Sequence, residues 1–200
     1  GGHLAEQQGD TEGSEVYPEK VKMSGHTIVA ISAGDSHSVA LSTQGTVLAW
    51  GVFRDSSGKF GFSAQSKEVQ PTPAPIHIPE KITAISSGSD HVGALSASGS
   101  VYTWGCAECG RLGRMPESEC DPKTVKGDKK TWQGRLLTPA KVTGLGPMQS
   151  VACGLYCTFT IGSGGEVWAW GLNQYGQLAI EADGPFYSPQ RVPVLAGKGV

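Results

Sequence analysis

The stretch Ala33-Gly34-Asp35-Ser36-His37-Ser38-Val39-Ala40-Leu41-Ser42-Thr43-Gln44-Gly45-Thr46-Val47-Leu48-Ala49-Trp50-Gly51 decides how this chain folds. Its skeleton is a small residue, Gly, two variable positions and His or Cys, then an aliphatic residue, Gly-x-Val and a closing Trp-Gly. The skeleton returns from Ser87 to Gly105 and from Cys153 to Gly171. The leading glycines Gly34, Gly88 and Gly154 are 54 and 66 residues apart, and the Trp-Gly pairs at Trp50, Trp104 and Trp170 keep the same two intervals. A period of this length marks one supersecondary unit stacked several times, so fold and function have to be read per repeat.

Each copy spells short strands between tight turns. Thr27–Ser32 is apolar and β-branched, Gly34–Ser36 interrupts it, His37–Ser42 resumes, Thr43–Gly45 turns, and Thr46–Trp50 completes a third run. Short runs of this kind bounded by Gly, Ser and Asp are strand signals. A fourth strand is expected at each Pro-x-x-(Val/Ile): Pro18–Val21, Pro73–Ile76, Pro139–Val142 and Pro189–Val192. Proline suits the first residue of a strand, where its missing N–H breaks no ladder bond. Glycine at 29 of 200 residues, about twice the usual ~7%, fits a turn-dense chain. No segment shows sustained helical periodicity. The expected fold class is therefore all-β, a β-propeller of four-stranded blades with about three full blades present.

Gly110-Arg111-Leu112-Gly113 and Gly176-Gln177-Leu178-Ala179 follow their Trp-Gly pairs at equal offsets, and Gly2-His3-Leu4-Ala5 repeats the pattern at the start. The expectation is a chain that opens at the end of one repeat with the first strand of the next blade (1–22) and runs through three full repeats (23–72, 73–138 and 139–188). The second holds a long loop, 114–134, and residues 189–200 begin a further repeat. Propellers close with about 4–8 blades, so these blades are read as part of a longer ring.

A formal charge of −2 argues against a phosphate-binding surface spread over the chain. The one basic cluster, Lys123, Lys126, Lys129, Lys130 and Arg135, is interleaved with or preceded by Glu117, Glu119, Asp121 and Asp128 and reads as a solvated loop. No apolar run approaches the ~20 residues of a membrane-spanning helix, no signal-peptide pattern opens the sequence, and no membrane partner is expected. Five cysteines, an odd number, do not make a disulfide framework and fit free thiols in a reducing compartment. Cys106-Ala107-Glu108-Cys109 has ligand spacing, but no second pair completes a zinc site. Cys153 and Cys157, read as lying on one strand, would be separated by roughly 13 Å at ~3.3 Å per residue. Cys157 also takes the place that His37 and His91 hold in the other copies, a packed position. No metal, no cofactor and no nucleophile–base pair is expected, which sets a hydrolase aside.

One loop departs from the repeat. Trp104 to Gly110 and Trp170 to Gly176 are six apart, whereas Trp50 to Gly58 is eight. The extra residues fall in Val52-Phe53-Arg54-Asp55-Ser56-Ser57. Repeat proteins place function in such insertions on one face. An exposed Phe53, Arg54 and Asp55 would make an interface anchor, because aromatics and Arg dominate binding hot spots. A neutral difference in loop length is the competing reading.

Ala33-Gly-Asp-Ser-His37, Trp50-Gly-Val-Phe-Arg-Asp-Ser-Ser-Gly58, Ser87-Gly-Ser-Asp-His91 and Cys153-Gly-Leu-Tyr-Cys-Thr-Phe-Thr160 resemble the regulator of chromosome condensation family. That family repeats Gly-x-x-His…Leu…Gly-x-Val-Tyr-x-Trp-Gly…Gly-Gln-Leu-Gly around a seven-bladed propeller. The similarity covers nearly the whole chain and is weakest between Glu117 and Gln133. The resemblance implies guanine nucleotide exchange on a Ran-type small GTPase, without covalent chemistry, and a nuclear location. It implies that Val52, Phe53, Arg54, Asp55, Ser56, Ser57, Gly58 and Lys59 form a wedge pushed against the GTPase, with Asp35 and Asp90 as acidic contacts. Chromatin is a further partner in the family, reached through a basic N-terminal tail and an Arg-rich loop between blades. Here Thr143-Gly-Leu-Gly-Pro-Met-Gln-Ser150 stands where that loop is expected, short and uncharged, so chromatin is only weakly supported.

Strand order gives a second argument for this grouping. Alternate connections of a meander fall at the same end. With the Pro-led strand counted first, the Gly34–Ser36 turn is the second connection of its blade and the loop after Trp50 the fourth. Both therefore share a face with the Gly88–Asp90 turn of the next blade. Asp in a turn is also often a purely local acceptor. His37 and His91, and Trp50, Trp104, Trp168 and Trp170, are expected in packing roles. The alternative function is a non-catalytic propeller scaffold inside a larger repeat protein. The plant ultraviolet-photoreceptor branch places Trp-Arg-His after the glycine, where this chain has Asp-Ser-His and Ser-Asp-His.

Overall fold

The computed structural model describes residues 19–64 and 69–195. In chain order the strands are β1 (Ile28–Ala33), β2 (His37–Ser42), β3 (Val47–Gly51), β4 (Phe53–Asp55), β5 (Gly58–Gly61), β6 (Gln70–Ile76), β7 (Ile82–Ser87), β8 (His91–Ser96) and β9 (Val101–Gly105). A helix, α1 (Lys129–Leu137), precedes β10 (Ala140–Lys141), β11 (Met148–Cys153), β12 (Cys157–Gly162), β13 (Val167–Gly171) and β14 (Phe186–Arg191). They form three four-stranded antiparallel sheets, β1-β2-β3-β6, β7-β8-β9-β10 and β11-β12-β13-β14, with β4-β5 as a separate hairpin. The all-β blade architecture read from the repeats is what the chain adopts.

The phase of the fourth strand differs from the sequence reading. The Pro-led strand closes the blade it follows and does not open the next: Val47 pairs with Ile76 and Ala49 with Ala74, Thr103 with Ala140, and Ala169 with Gln190. The Trp-Gly strand has one edge on its hairpin partner and one edge open, and the returning chain fills that edge antiparallel. The Pro-led strand is thus the outermost one. Pro71, Pro73 and Pro75 alternate along β6, which a strand with one edge free of partners tolerates. The blades accordingly run over 28–76, 82–141 and 148–191, and Pro189–Arg191 belongs to the third sheet. Residues 19–21 are not strand, and Pro18 lies outside the described residues.

Neighbouring blades are tied near the axis. Ser32 Oγ accepts from Ser87 N–H at 2.9 Å, and Ser86 Oγ accepts from Cys153 N–H at 2.8 Å. The turns that follow β1, β7 and β11 bond in sequence, with Asp35 N–H to Ser89 O at 2.8 Å and Ser89 N–H to Leu155 O at 3.3 Å. The glycine of the repeat allows this approach: a Cβ on Gly88 would sit 2.2 Å from His91 Cε1 and 2.4 Å from Gly154 O. Between the sheets, Val39, Leu41, Val47, Val92, Ala94 and Trp104 form one continuous core with the hairpin aromatics.

The segment expected as a solvated loop is folded. Asp128 caps α1, its carboxylate accepting from Lys130 N–H and Thr131 N–H, and Trp132, Leu136 and Leu137 are buried. Arg114 secures the other end: its guanidinium donates to the carbonyls of Arg135 (3.0 Å) and Thr138 (3.2 Å). Lys123, Lys126, Lys129 and Lys130 remain exposed, as read. The buried side of this insertion joins the core that holds Phe53, Phe60 and Phe62, so it lies under the hairpin of the first blade.

Candidate partner-binding face

The Trp-Gly pair sets the course of the chain as it leaves each blade. Gly51 takes φ +101, and a Cβ there would sit 2.3 Å from Ser36 O, so only glycine lets the strand end press on the preceding turn. Val52 N–H then bonds Ser36 O at 2.8 Å, as Cys106 N–H bonds Asp90 O at 2.8 Å and Leu172 N–H bonds Tyr156 O at 2.9 Å. The turn after the innermost strand and the loop after Trp-Gly are therefore hydrogen-bonded to each other in every blade. Counted with the corrected phase they are the first and third connections. Both shift by one, so they still have the same parity, and they share one face as expected.

On that face β4 and β5 pair through Phe53 with Gly61, Arg54 with Lys59 and Asp55 with Gly58. Asp55 Oδ1 accepts from Ser57 N–H at 2.7 Å and shapes the tip. The hairpin does not stand alone: Asp90 Oδ1 accepts from Arg54 N–H at 2.9 Å, and both Glu108 carboxylate oxygens accept from Ser56 N–H at 3.1 Å. Asp35 is exposed one turn away, on the residue whose N–H bonds Ser89 O. The structure thus gathers Asp35, Asp90 and the Val52–Lys59 segment in one place.

Two members of the expected wedge are not surface groups. Phe53 has no exposed surface and Val52 is 6% exposed. The Phe53 ring lies 4.6 Å from that of His37 and stacks 6.0 Å from that of Phe62. The reading of Phe53 as an exposed anchor is therefore overturned: alternation along β4 turns Phe53 inward and Arg54 outward. Arg54, Ser56, Ser57 and Lys59 are exposed, with Asp55 and Gly58 half-buried.

Charge on the face is conditioned by burial. The Asp90 carboxyl is raised from its ordinary value, by burial first and by the neighbouring Asp35 charge; donation from Arg54 N–H and the Arg111 guanidinium oppose the rise. Asp55 is raised as well, chiefly by burial, with Glu108 and Asp121 adding like charge against the Ser57 N–H bond. Beneath them, burial lowers His37 to about 4 and pushes His91 well below its ordinary value. His91 bonds Thr158 Oγ1 through Nε2 at 2.9 Å. Both imidazoles are neutral packing groups in the neutral range, as the sequence reading expects.

Glu108 was not singled out from the sequence, where it sits inside a cysteine pair read for zinc. The signal was its place in the loop after Trp104-Gly105, the second-blade counterpart of the hairpin. The cysteine geometry also needs correcting. Cys153 ends β11 and Cys157 begins β12, on adjacent strands across a turn whose Gly154 N–H bonds Cys157 O at 2.9 Å. Burial pushes Cys153 up to about 12 and raises Cys157, so both hold their protons at neutral pH.

Comparison with known proteins agrees with the blade fold. The chain is 38% identical over 187 residues to the regulator of chromosome condensation of Xenopus laevis, covering 90% of this chain and 42% of that protein. It is 29% identical over 187 residues to the guanine nucleotide exchange factor SRM1 of Saccharomyces cerevisiae, covering 89% and 36%. Among solved structures, Prp20p from Saccharomyces cerevisiae, described for its binding to Gsp1p and histones, superposes with a TM-score of 0.71 at 28% identity, over 84% of this chain and 36% of that one. The chain therefore spans less than half the length of these relatives. The family model for the RCC1-like domain matches residues 1–200, and with its Gly-x-x-His turns and Trp-Gly strands laid out as successive blades, the chain belongs to the RCC1-like domain family.

Proposed function

We propose that the protein is a guanine nucleotide exchange factor for a Ran-type small GTPase and engages it through the face that carries Asp35, Asp90 and the Val52–Lys59 hairpin. The observation that carries this reading is the hairpin itself, a protrusion built on one blade and anchored to the next by Asp90. Relatives named as exchange factors support it.

Exchange makes and breaks no covalent bond, so no acid, base or nucleophile is required. A GTPase that holds nucleotide with Kd near ~1 pM, about −16 kcal/mol, releases it slowly on its own. An exchange factor must bind the nucleotide-free state more tightly than the loaded one, and each ~1.4 kcal/mol of that difference changes the equilibrium tenfold. A rigid hairpin suits this task because it can occupy the space of a phosphate-side segment without first being ordered. Arg54, Ser57 and Lys59 meet the GTPase from the hairpin, Asp35 engages it directly, and Asp90 contributes through its hold on the hairpin root. A nuclear location belongs to the same reading, and chromatin is the less supported partner because Thr143–Ser150 carries no charge.

Release of fluorescent GDP from a Ran-type GTPase tests it, using the intact protein and its Asp35→Ala and Asp90→Ala variants. Release is expected to accelerate with the wild type and to fall by about tenfold or more in each variant. Thermal midpoints should stay close to wild type for Asp35→Ala. Unaltered rates in both variants would remove the site assignment, and absence of any acceleration would leave the scaffold reading.

A further inference from the structure

The β4–β5 hairpin pairs only three residues of each strand, and an isolated two-stranded hairpin of this size is marginal in water. Its attitude must therefore be set from outside. Asp90 takes Arg54 N–H at the root. Nearer the tip, Glu108 takes Ser56 N–H with both carboxylate oxygens at 3.1 Å. Such charge-assisted bonds are roughly twice as strong as neutral ones.

Glu108 is itself firmly seated. Its carbonyl accepts from Arg111 Nε at 2.8 Å. Arg111, only 2% exposed, donates from Nη1 to Ser89 Oγ at 3.2 Å. Its guanidinium lies 4.6 Å over the Tyr156 ring of the third blade, and its own carbonyl accepts from Trp170 Nε1 at 3.0 Å. One connected set of bonds thus runs from the third blade through Arg111 and Glu108 to the hairpin that springs from the first.

We propose that Glu108 is a positioning residue for nucleotide exchange: it holds Ser56, and through it the tilt at which the hairpin meets the GTPase. This rests on the exchange reading. Glu108 acts through the hairpin backbone and contacts neither nucleotide nor GTPase. Its loss should therefore lower the rate of the bound complex more than it weakens encounter.

The test uses the intact protein as wild type, Glu108→Ala and Glu108→Gln, with two readouts. The first is amide hydrogen exchange over the hairpin in the absence of any partner. The second is GDP release as a function of GTPase concentration. In Glu108→Ala the hairpin amides are expected to exchange about tenfold faster, and kcat to fall about tenfold with KM changed by less than about twofold. Glu108→Gln keeps an acceptor oxygen and should restore most of both. Unchanged hairpin protection in Glu108→Ala overturns the proposal, as does lost protection with unchanged kcat. A wild type that releases no nucleotide overturns the exchange reading instead, and the hydrogen-exchange readout tells the two failures apart.

Discussion

His37 and Phe53 meet ring to ring at 4.6 Å, and this contact explains how one motif serves packing and site together. The imidazole lies against Gly34, whose Cβ, were there one, would fall 2.2 Å from His37 Cε1, and its other side supports the root of the hairpin. Burial depresses His37 to about 4, so the folded protein resists its protonation while the unfolded chain accepts a proton near pH 6.5. Stability is therefore full above pH 6.5 and is lost as pH falls from 6.5 towards 4, by up to about 3 kcal/mol from this group. Thermal midpoints measured between pH 7 and 4 should show that decline, and His37→Leu should make it shallower, with buried His91 supplying acid lability of the same sign. An acid limb of the same slope in the variant would contradict this role. The packing role of His37 was legible because the residue recurs at a fixed place in the repeat. The inward turn of Phe53 was not, because a loop aromatic reads equally well as a surface anchor until its strand pairing is known.

The hairpin is the element in which stability and function separate. Phe53 fills core, whereas Arg54, its sequence neighbour, is exposed. Phe53→Ala should cost about 3–5 kcal/mol by emptying a buried site, whereas Arg54→Ala should leave denaturant midpoints within about 0.5 kcal/mol and slow exchange. Equal stability losses in chemical denaturation would mean that the two faces of β4 are not distinguished as described. The hairpin was visible in the sequence as a two-residue excess after Trp50. Its supports were not, since Asp90 and Glu108 reach it across 36 and 52 residues. Helix α1 was missed for a related reason. Its sequence carries no sustained periodicity, and its stability comes from the Asp128 cap and from burying Trp132, Leu136 and Leu137, a tertiary gain that propensity does not register.

Across the whole molecule, blades added in sequence bring turns distant in the chain onto one rim. The repeat period made the blades and their shared face readable, because two connections of like parity keep that likeness when the count shifts by one strand. The strand phase itself was not readable, since a Pro-led segment can pair with the strand before it or after it, and only the open edge of the Trp-Gly strand decides. The outcome is a face on which Asp35, Asp90 and the hairpin are hydrogen-bonded neighbours or lie one turn apart. An exchange factor is defined by unequal affinity for two states of its partner. The most direct measurement is therefore the affinity of the intact protein for a Ran-type GTPase in its nucleotide-free and GDP-loaded forms. Tighter binding of the nucleotide-free form by about a hundredfold or more, a difference of ~2.7 kcal/mol, is the expected result, and the ratio should shrink when Arg54 and Asp35 are replaced together by alanine. Equal affinity for the two forms would contradict it.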